Sequence, residues 1–307
     1  MWNFLNRPRI GATTTRCKGF YNRFLYSQIR ADEKLLLTEL RSRGHDILKI
    51  DVRKHQFSIQ GPPSEFKDLD IVIDRCIAQS QSKFASILFA SYDIPIINNP
   101  VVVERCSDKV KTSLLLAKAG IPTPETTIAF SPESALETIE TMGYPCVIKP
   151  IVGSWGRLLA KIDTRAAAEA IVEHKATLGH YEHKIFYIQK FINKPNRDIR
   201  VVTVDGNPIA AMTRTSTHWL TNAAKGATVD AYDIPKEVAS LVKQASKAVG
   251  GGLLGVDLME LDDGGFTVHE INPGTEFKAL NECVDVDVPT HIINWIESVA
   301  NKKGGDK

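Results

Sequence analysis

The sequence predicts an α/β domain followed by an α+β unit, and three observations carry that prediction. From Phe24 to Pro100, short β-rich runs alternate with helix patterns over short connections, as in a parallel sheet flanked by helices. Beyond Pro100, helices are interleaved with two strand hairpins, signalled by Asp205-Gly206-Asn207 and by Asp262-Asp263-Gly264-Gly265. The composition, 43% hydrophobic and 24% charged over 307 residues, supplies enough apolar surface for two or three cores.

Residues 1–22 stand outside this scheme. They carry Arg7, Arg9, Arg16 and Lys18, no acid, and no apolar core of a secretory signal, and so read as a disordered extension. The first unit, 23–104, then follows in order. "RFLYSQI" reads as a strand, and "ADEKLLLTELRSRG" as a helix stopped at Gly44. "DILKIDV" and "LDIVIDRC" are strands, 80–91 is a helix, and "IPIINNP" closes the unit at Pro100.

The second unit, 105–193, opens with Ser107 as the expected cap of "DKVKTSLLLAKAG". "TTIAF" is a strand, Ser131 caps "PESALETIETMG", "CVIKPI" and "LLAKI" are strands, and "TRAAAEAIVEHKATLG" is a helix. "IFYIQKFI" reads as a strand of its full length. The third unit, 194–301, holds a hairpin over 199–215, a helix over 235–249, and the hairpin "LLGVDLMEL"/"FTVHEIN", with a tail at 302–307.

Composition excludes several classes of function. A formal net charge of +2 does not suit a protein built mainly to hold nucleic acid. Five isolated cysteines without a C-x-x-C pair read as reduced cytosolic thiols, not as a disulfide frame or zinc site. No apolar run approaches the ~20 residues that span a bilayer, so no membrane partner is expected.

Three places carry chemistry. A ladder symmetric about Asp263-Gly264 sets Asp257 opposite Glu270, and period two puts Asn272 on the face of Glu270. Two carboxylates about 5 Å apart repel, so they share a proton, bind a cation, or escape to solvent by a slipped register. Their oxygen donors, with Asn272, suit magnesium better than zinc. A first hairpin centred on Gly206 pairs Asp198 with Arg214 and brings Arg200 to the same face, as a surface salt bridge or as an anion clamp. In "KPIVGSWGR", Lys149 ends an apolar strand, and Gly153 and Gly156 let backbone amides approach an anion beside Ser154. The loop lacks the G-x-x-x-x-G-K-[ST] pattern. Together with Lys109, these groups imply a nucleotide with magnesium, and "IQKFI" offers backbone groups and apolar faces to its base.

Several long stretches then resemble the ATP-grasp superfamily, within it the RimK-like amino-acid ligases, and most closely the LysX/ArgX group. They are "IRADEKLL", "CSDKVKT", "VIKPIVGSWGRLLAK", "KPNRDIRVV", "THWLTNAAKGA", "GVDLMEL" and "EINPGTEFK", and the resemblance runs from about Phe24 to Ala300. It implies an ATP-grasp fold behind an N-terminal parallel α/β (pre-ATP-grasp) domain. It also implies a ligase that joins 2-aminoadipate or glutamate to the C-terminal glutamate of the acidic carrier protein LysW. ATP would be held by Lys109, Lys149, Gly153, Ser154, Trp155, Gly156 and Asp198, with Gln189, Lys190, Phe191 and Ile192 around the adenine. Asp257, Glu270 and Asn272 would hold two magnesium ions (manganese could substitute), and Arg214 with Arg200 would stabilise an acyl phosphate. Asn222 and Ala223 would select 2-aminoadipate, and Thr275, Glu276 and Phe277 would border the amino-acid pocket. The resemblance further implies a cytoplasmic homo-oligomer. A basic surface that includes Arg157 and Lys225 would meet the acidic carrier.

Overall fold

A computed structural model describes residues 21–66, 69–153, 156–179, 184–221 and 226–304. Residues 1–20, Ser154, Trp155, Asn222, Ala223 and Lys225 lie outside the described residues.

Strands β1 (Tyr21–Tyr26), β2 (Asp46–Asp51), β3 (Ile71–Arg75) and β4 (Ile96–Ile97) form a parallel sheet in the order β2-β1-β3-β4. β1 starts at Tyr21, inside the stretch read as an extension. Both faces of this sheet are covered, so neighbouring residues are buried in opposite directions. Phe24 packs with Leu36, Leu37 and Leu40 of α1 (Ala31–Ser42), whereas Leu25 packs with Phe66 and with Phe89 of α2 (Gln79–Ser91).

Pro100 opens the element after β4. It is the first residue of helix α3 (Pro100–Ser107), where a missing N–H costs nothing, and the Asn99 side chain accepts from Val102 N at 3.0 Å. The next helix, α4 (Lys109–Lys118), is capped by Asp108 and not by Ser107. The Asp108 carboxylate accepts from the amides of Val110 (2.9 Å) and Lys111 (3.1 Å), while Ser107 is the last residue of α3.

β5 (Thr126–Ala129), β6 (Cys146–Lys149), β7 (Ala160–Ile162) and β8 (Phe186–Lys190) make an antiparallel sheet in the order β5-β8-β6-β7. α5 (Pro132–Met142), capped by Ser131, and α6 (Arg165–Leu178), capped by Thr164, bury Ala135, Ile139, Ala168 and Val172 against it. β8 has five residues instead of the expected eight. Its ladder with β6 ends where Lys190 meets Cys146, and among the described residues no strand residue pairs with 191–192.

The third sheet, ordered β11-β10-β9-β12-β13, contains β9 (Arg197–Val204), β10 (Asn207–Thr215), β11 (Thr228–Ala231), β12 (Leu253–Glu260) and β13 (Phe266–Asn272). α7 (Lys236–Val249) packs Val238, Val242 and Ala245 against Val201, Leu254 and Val256 on one face. On the other, Val202, Ala210 and Met212 share a core with α8 (Lys278–Cys283), α9 (Val288–Gly304) and α1. The third sheet and the N-terminal sheet therefore share apolar packing.

Both hairpins reach the expected pairing by a different route. The first turns tightly through Asp205-Gly206 (φ +47° and +77°) and then carries a bulge between Pro208 and Ala210, which brings Arg214 opposite Asp198. The second has a longer turn, closed by Leu261 N–H on Gly265 O at 2.8 Å, and a bulge at His269 restores Asp257 opposite Glu270.

Candidate active site

The three sheets converge on a cleft of about 360 Å³, within the range of small-molecule sites. Lys149, the last residue of β6, enters it 4% exposed. Its ammonium donates to Gln189 Oε1 at 2.5 Å and lies 3.4 Å from His269 Nδ1. The Gln189 amide donates to the Thr126 hydroxyl (2.9 Å), which keeps its carbonyl oxygen turned to Lys149. Burial depresses the Lys149 pKa to about 7; Glu270 resists that shift, and Lys109 and Lys194 add to it.

Lys109 follows the Asp108 cap, so α4 fixes the start of its side chain. Its ammonium donates to Gly153 O at 2.8 Å and pairs with Glu270 Oε1 at 3.1 Å. Gly153 sits at φ +145°, a conformation that glycine accepts, and so the loop returns to Lys109. Gly156 lines the same cleft.

The arginines and acids form one network. Arg200 forks onto Asp257 with two bonds of 2.7 Å. Arg214 donates to Asp198 at 2.6 Å and lies 3.2 Å from Asp257 Oδ2. Asp198 also accepts from the Thr221 hydroxyl and has Lys194 Nζ at 3.6 Å. It thus orients Arg214, and its carboxylate is fully partnered. Burial opposes the charge on Asp257, but Arg200 and Arg214 outweigh it and hold the carboxyl well below its ordinary range. Arg214 is buried too, and Asp257 and Asp198 keep it firmly charged.

Asp257 lies directly across from Glu270, and Asn272 Nδ2 is 3.4 Å from Asp257 Oδ2. Among the described residues, no three His, Cys, Asp or Glu side chains gather into a metal cage. The donor set is two carboxylates and an amide oxygen. That fits a hard divalent ion which completes its shell with phosphate oxygens and water, not a zinc ion held by thiolate or imidazole.

At the end of β8, Gln189, Lys190, Phe191 and Ile192 line the cleft. The Phe191 ring lies under Lys161 Nζ (4.7 Å) and packs edge-on with Trp219 (6.3 Å). On the opposite side, Thr275 and Glu276 line the cleft, and Glu276 is ion-paired with Arg30. Gly255 is required here, because a Cβ at that position would come within 2.3 Å of Thr275 Oγ1. Phe277 does not border the pocket as expected. Its ring is buried in the apolar core, because the Asp32 carboxylate draws the amides of Phe277 (2.6 Å) and Lys278 (2.8 Å) toward α1.

Sequence reasoning missed His269, Lys194, Trp219 and Thr221, all of which line the cleft. His269 shares the bulge with Glu270, and bulges leave no composition signal. Lys194 and Thr221 become visible only once Asp198 is known to bind both.

A RimK-like ATP-grasp domain model matches residues 106–296, and a LysX pre-ATP-grasp domain model matches 23–105. The chain is 32% identical to an alpha-aminoadipate–LysW ligase LysX from Sulfurisphaera tokodaii, over 91% of this chain and 98% of that protein. It is 27% identical to a glutamate–LysW ligase ArgX from Sulfolobus acidocaldarius, over 88% and 95%. The crystal structure of a RimK domain ATP-grasp protein from Sphaerobacter thermophilus superposes with a TM-score of 0.76 at 27% identity, over 89% of this chain and 98% of that one. The cleft, its buried lysine and its acid-bearing hairpin thus have a family, and the chain belongs to the RimK-like ATP-grasp ligases.

Proposed function

We propose that this ligase joins the α-amino group of 2-aminoadipate to the side-chain carboxylate of the C-terminal glutamate of an acidic, LysW-like carrier protein. One observation carries the chemistry: Lys149, Arg200, Arg214, Asp257, Glu270 and Asn272 all line one cleft. Lysines at the β6 end suit the phosphates of ATP, and the extended 189–192 segment suits its base. Phosphoryl transfer to the carrier carboxylate gives an acyl phosphate and ADP. The amine then attacks the acyl carbon, releasing phosphate and forming the amide. Arg214, oriented by Asp198, and Arg200 are placed to stabilise the oxygens that gain charge in both steps. Asp257, Glu270 and Asn272 would hold the divalent ions, whose charge would offset that on the transferring group. Catalysis is otherwise positioning and electrostatics, without a protein nucleophile.

The substrate assignment rests on the 2-aminoadipate-named relative. The ArgX relative supports glutamate as the second reading, since the two substrates differ by one methylene, worth about 1–3 kcal/mol in a fitted pocket. The free thiols Cys76, Cys106, Cys146 and Cys283 support a reducing, cytoplasmic setting. Phosphate release with purified carrier and an amino-acid panel tests the reading. A higher specificity constant for 2-aminoadipate supports it, and a clear preference for glutamate moves the enzyme to the second reading.

A further inference from the structure

The wall of the cleft opposite the nucleotide segment belongs to the N-terminal domain, and its chemistry is that of an anion site. Helix α2 is 13 residues long and begins here, with Gln79 and Ser82 lining the cleft. Its N-cap is Ala78, whose side chain cannot cap, and its first turn has no acid. Helix geometry leaves the first-turn amides without intrahelical acceptors, and the helix dipole adds partial positive charge at that end. Such an end is ready for a carboxylate or phosphate.

A second observation lies in the same cleft. Ser107, at the end of α3, lines the cleft and is 8% exposed, yet its buried hydroxyl has no hydrogen-bond partner. A buried, unpaired donor is costly unless a ligand completes it. Arg30 also lines this wall, its guanidinium held and its charge balanced by Glu33 and Glu276. Asp74, the acid behind the wall, is engaged by the Cys76 amide (2.8 Å) and the Ser82 hydroxyl.

We infer that the α2 N-terminus and Ser107 form the subsite for a carboxylate of the incoming amino acid. The inference rests on the ligase reading and assigns its amino-acid side to the N-terminal domain. The carboxylate would accept from first-turn amides of α2 and from the Ser107 hydroxyl. The amino group would then face Arg200 and Arg214, where the acyl phosphate forms.

Two substitutions remove these donors with little disturbance. Gln79→Pro deletes one first-turn amide at a position where helices accept proline, and Ala78 already has the extended conformation that precedes one (φ −76°, ψ 121°). Ser107→Ala removes only the hydroxyl. Steady-state kinetics of the full-length enzyme with ATP, carrier and either 2-aminoadipate or glutamate reads both. Each variant should raise the amino-acid KM about tenfold, leave the ATP KM unchanged, and discriminate less against the decarboxylated amine. An unchanged amino-acid KM in both variants, or an equal rise for ATP, overturns the subsite while the ligase reading stands. A wild-type enzyme that turns over no amino acid overturns the ligase reading, and the proposed occupant with it.

Discussion

Lys149 and Glu270 line the same cleft, but one is buried and the other part-exposed. Lys149 is buried, and its pKa is depressed to about 7. Between that value and the ordinary lysine range, the unfolded chain binds a proton that the folded chain lacks. This group therefore adds stability to the ligand-free protein as pH rises above about 7 and opposes folding most below it. A triphosphate favours the charged ammonium, so ATP binding near pH 8 should take up protons. Calorimetry in buffers of different ionisation enthalpy should show that uptake in the wild type and not in Lys149→Met. Glu270 is part-exposed beside Lys109, a kind of pair worth about 0–1 kcal/mol. Glu270→Gln should melt within a few degrees of wild type and still lose magnesium-dependent turnover at least a hundredfold. Asp257→Asn differs. It takes the charged partner from Arg200 and one of two from Arg214 in a buried site, and should cost about 3 kcal/mol in a denaturant titration.

At the scale of the element, α4 and the two hairpins place the charges. The Asp108 cap sets the first turn from which Lys109 extends. Asp108→Ala should cost about 1 kcal/mol in chemical unfolding and raise the ATP KM. Much of this scale was legible in the sequence. Gly44 marked the end of α1, glycine turns marked both hairpins, and the pairs Asp198–Arg214 and Asp257–Glu270 followed from symmetry. The pairs were reached although each turn length was misread, because a bulge in each hairpin offsets the error by one residue. What stayed hidden depended on competition between neighbours. Ser107 and Asp108 both suit a cap, and only the backbone decides between them. The end of β8 depends on the length of β6, and the orientation of Phe277 depends on Asp32, 245 residues away.

For the whole molecule, the cleft is built across domains. Arg75 at the end of β3 donates to Glu33 (3.0 Å) and to Thr275 O (3.0 Å), and Arg30 ties Glu33 to Glu276. Glu33 is fully buried, Arg75 is buried and Arg30 half-buried beside it, so this clasp fixes the segment after Asn272 against the N-terminal sheet. Arg75→Met should lower stability by about 3 kcal/mol, measured by denaturant unfolding, and should loosen the amino-acid side of the cleft more than the nucleotide side. A carrier that is acidic and docks by charge should show an apparent KM that rises steeply with salt. A KM independent of ionic strength would contradict electrostatic docking.

The most direct test incubates the purified chain with ATP, magnesium, a LysW-like carrier and 2-aminoadipate, and follows the intact mass of the carrier together with phosphate release. Carrier mass should rise by one aminoadipate residue for each phosphate released, only when ATP and magnesium are both present. Phosphate release without any change in carrier mass, for every amino acid supplied, would contradict the proposed function.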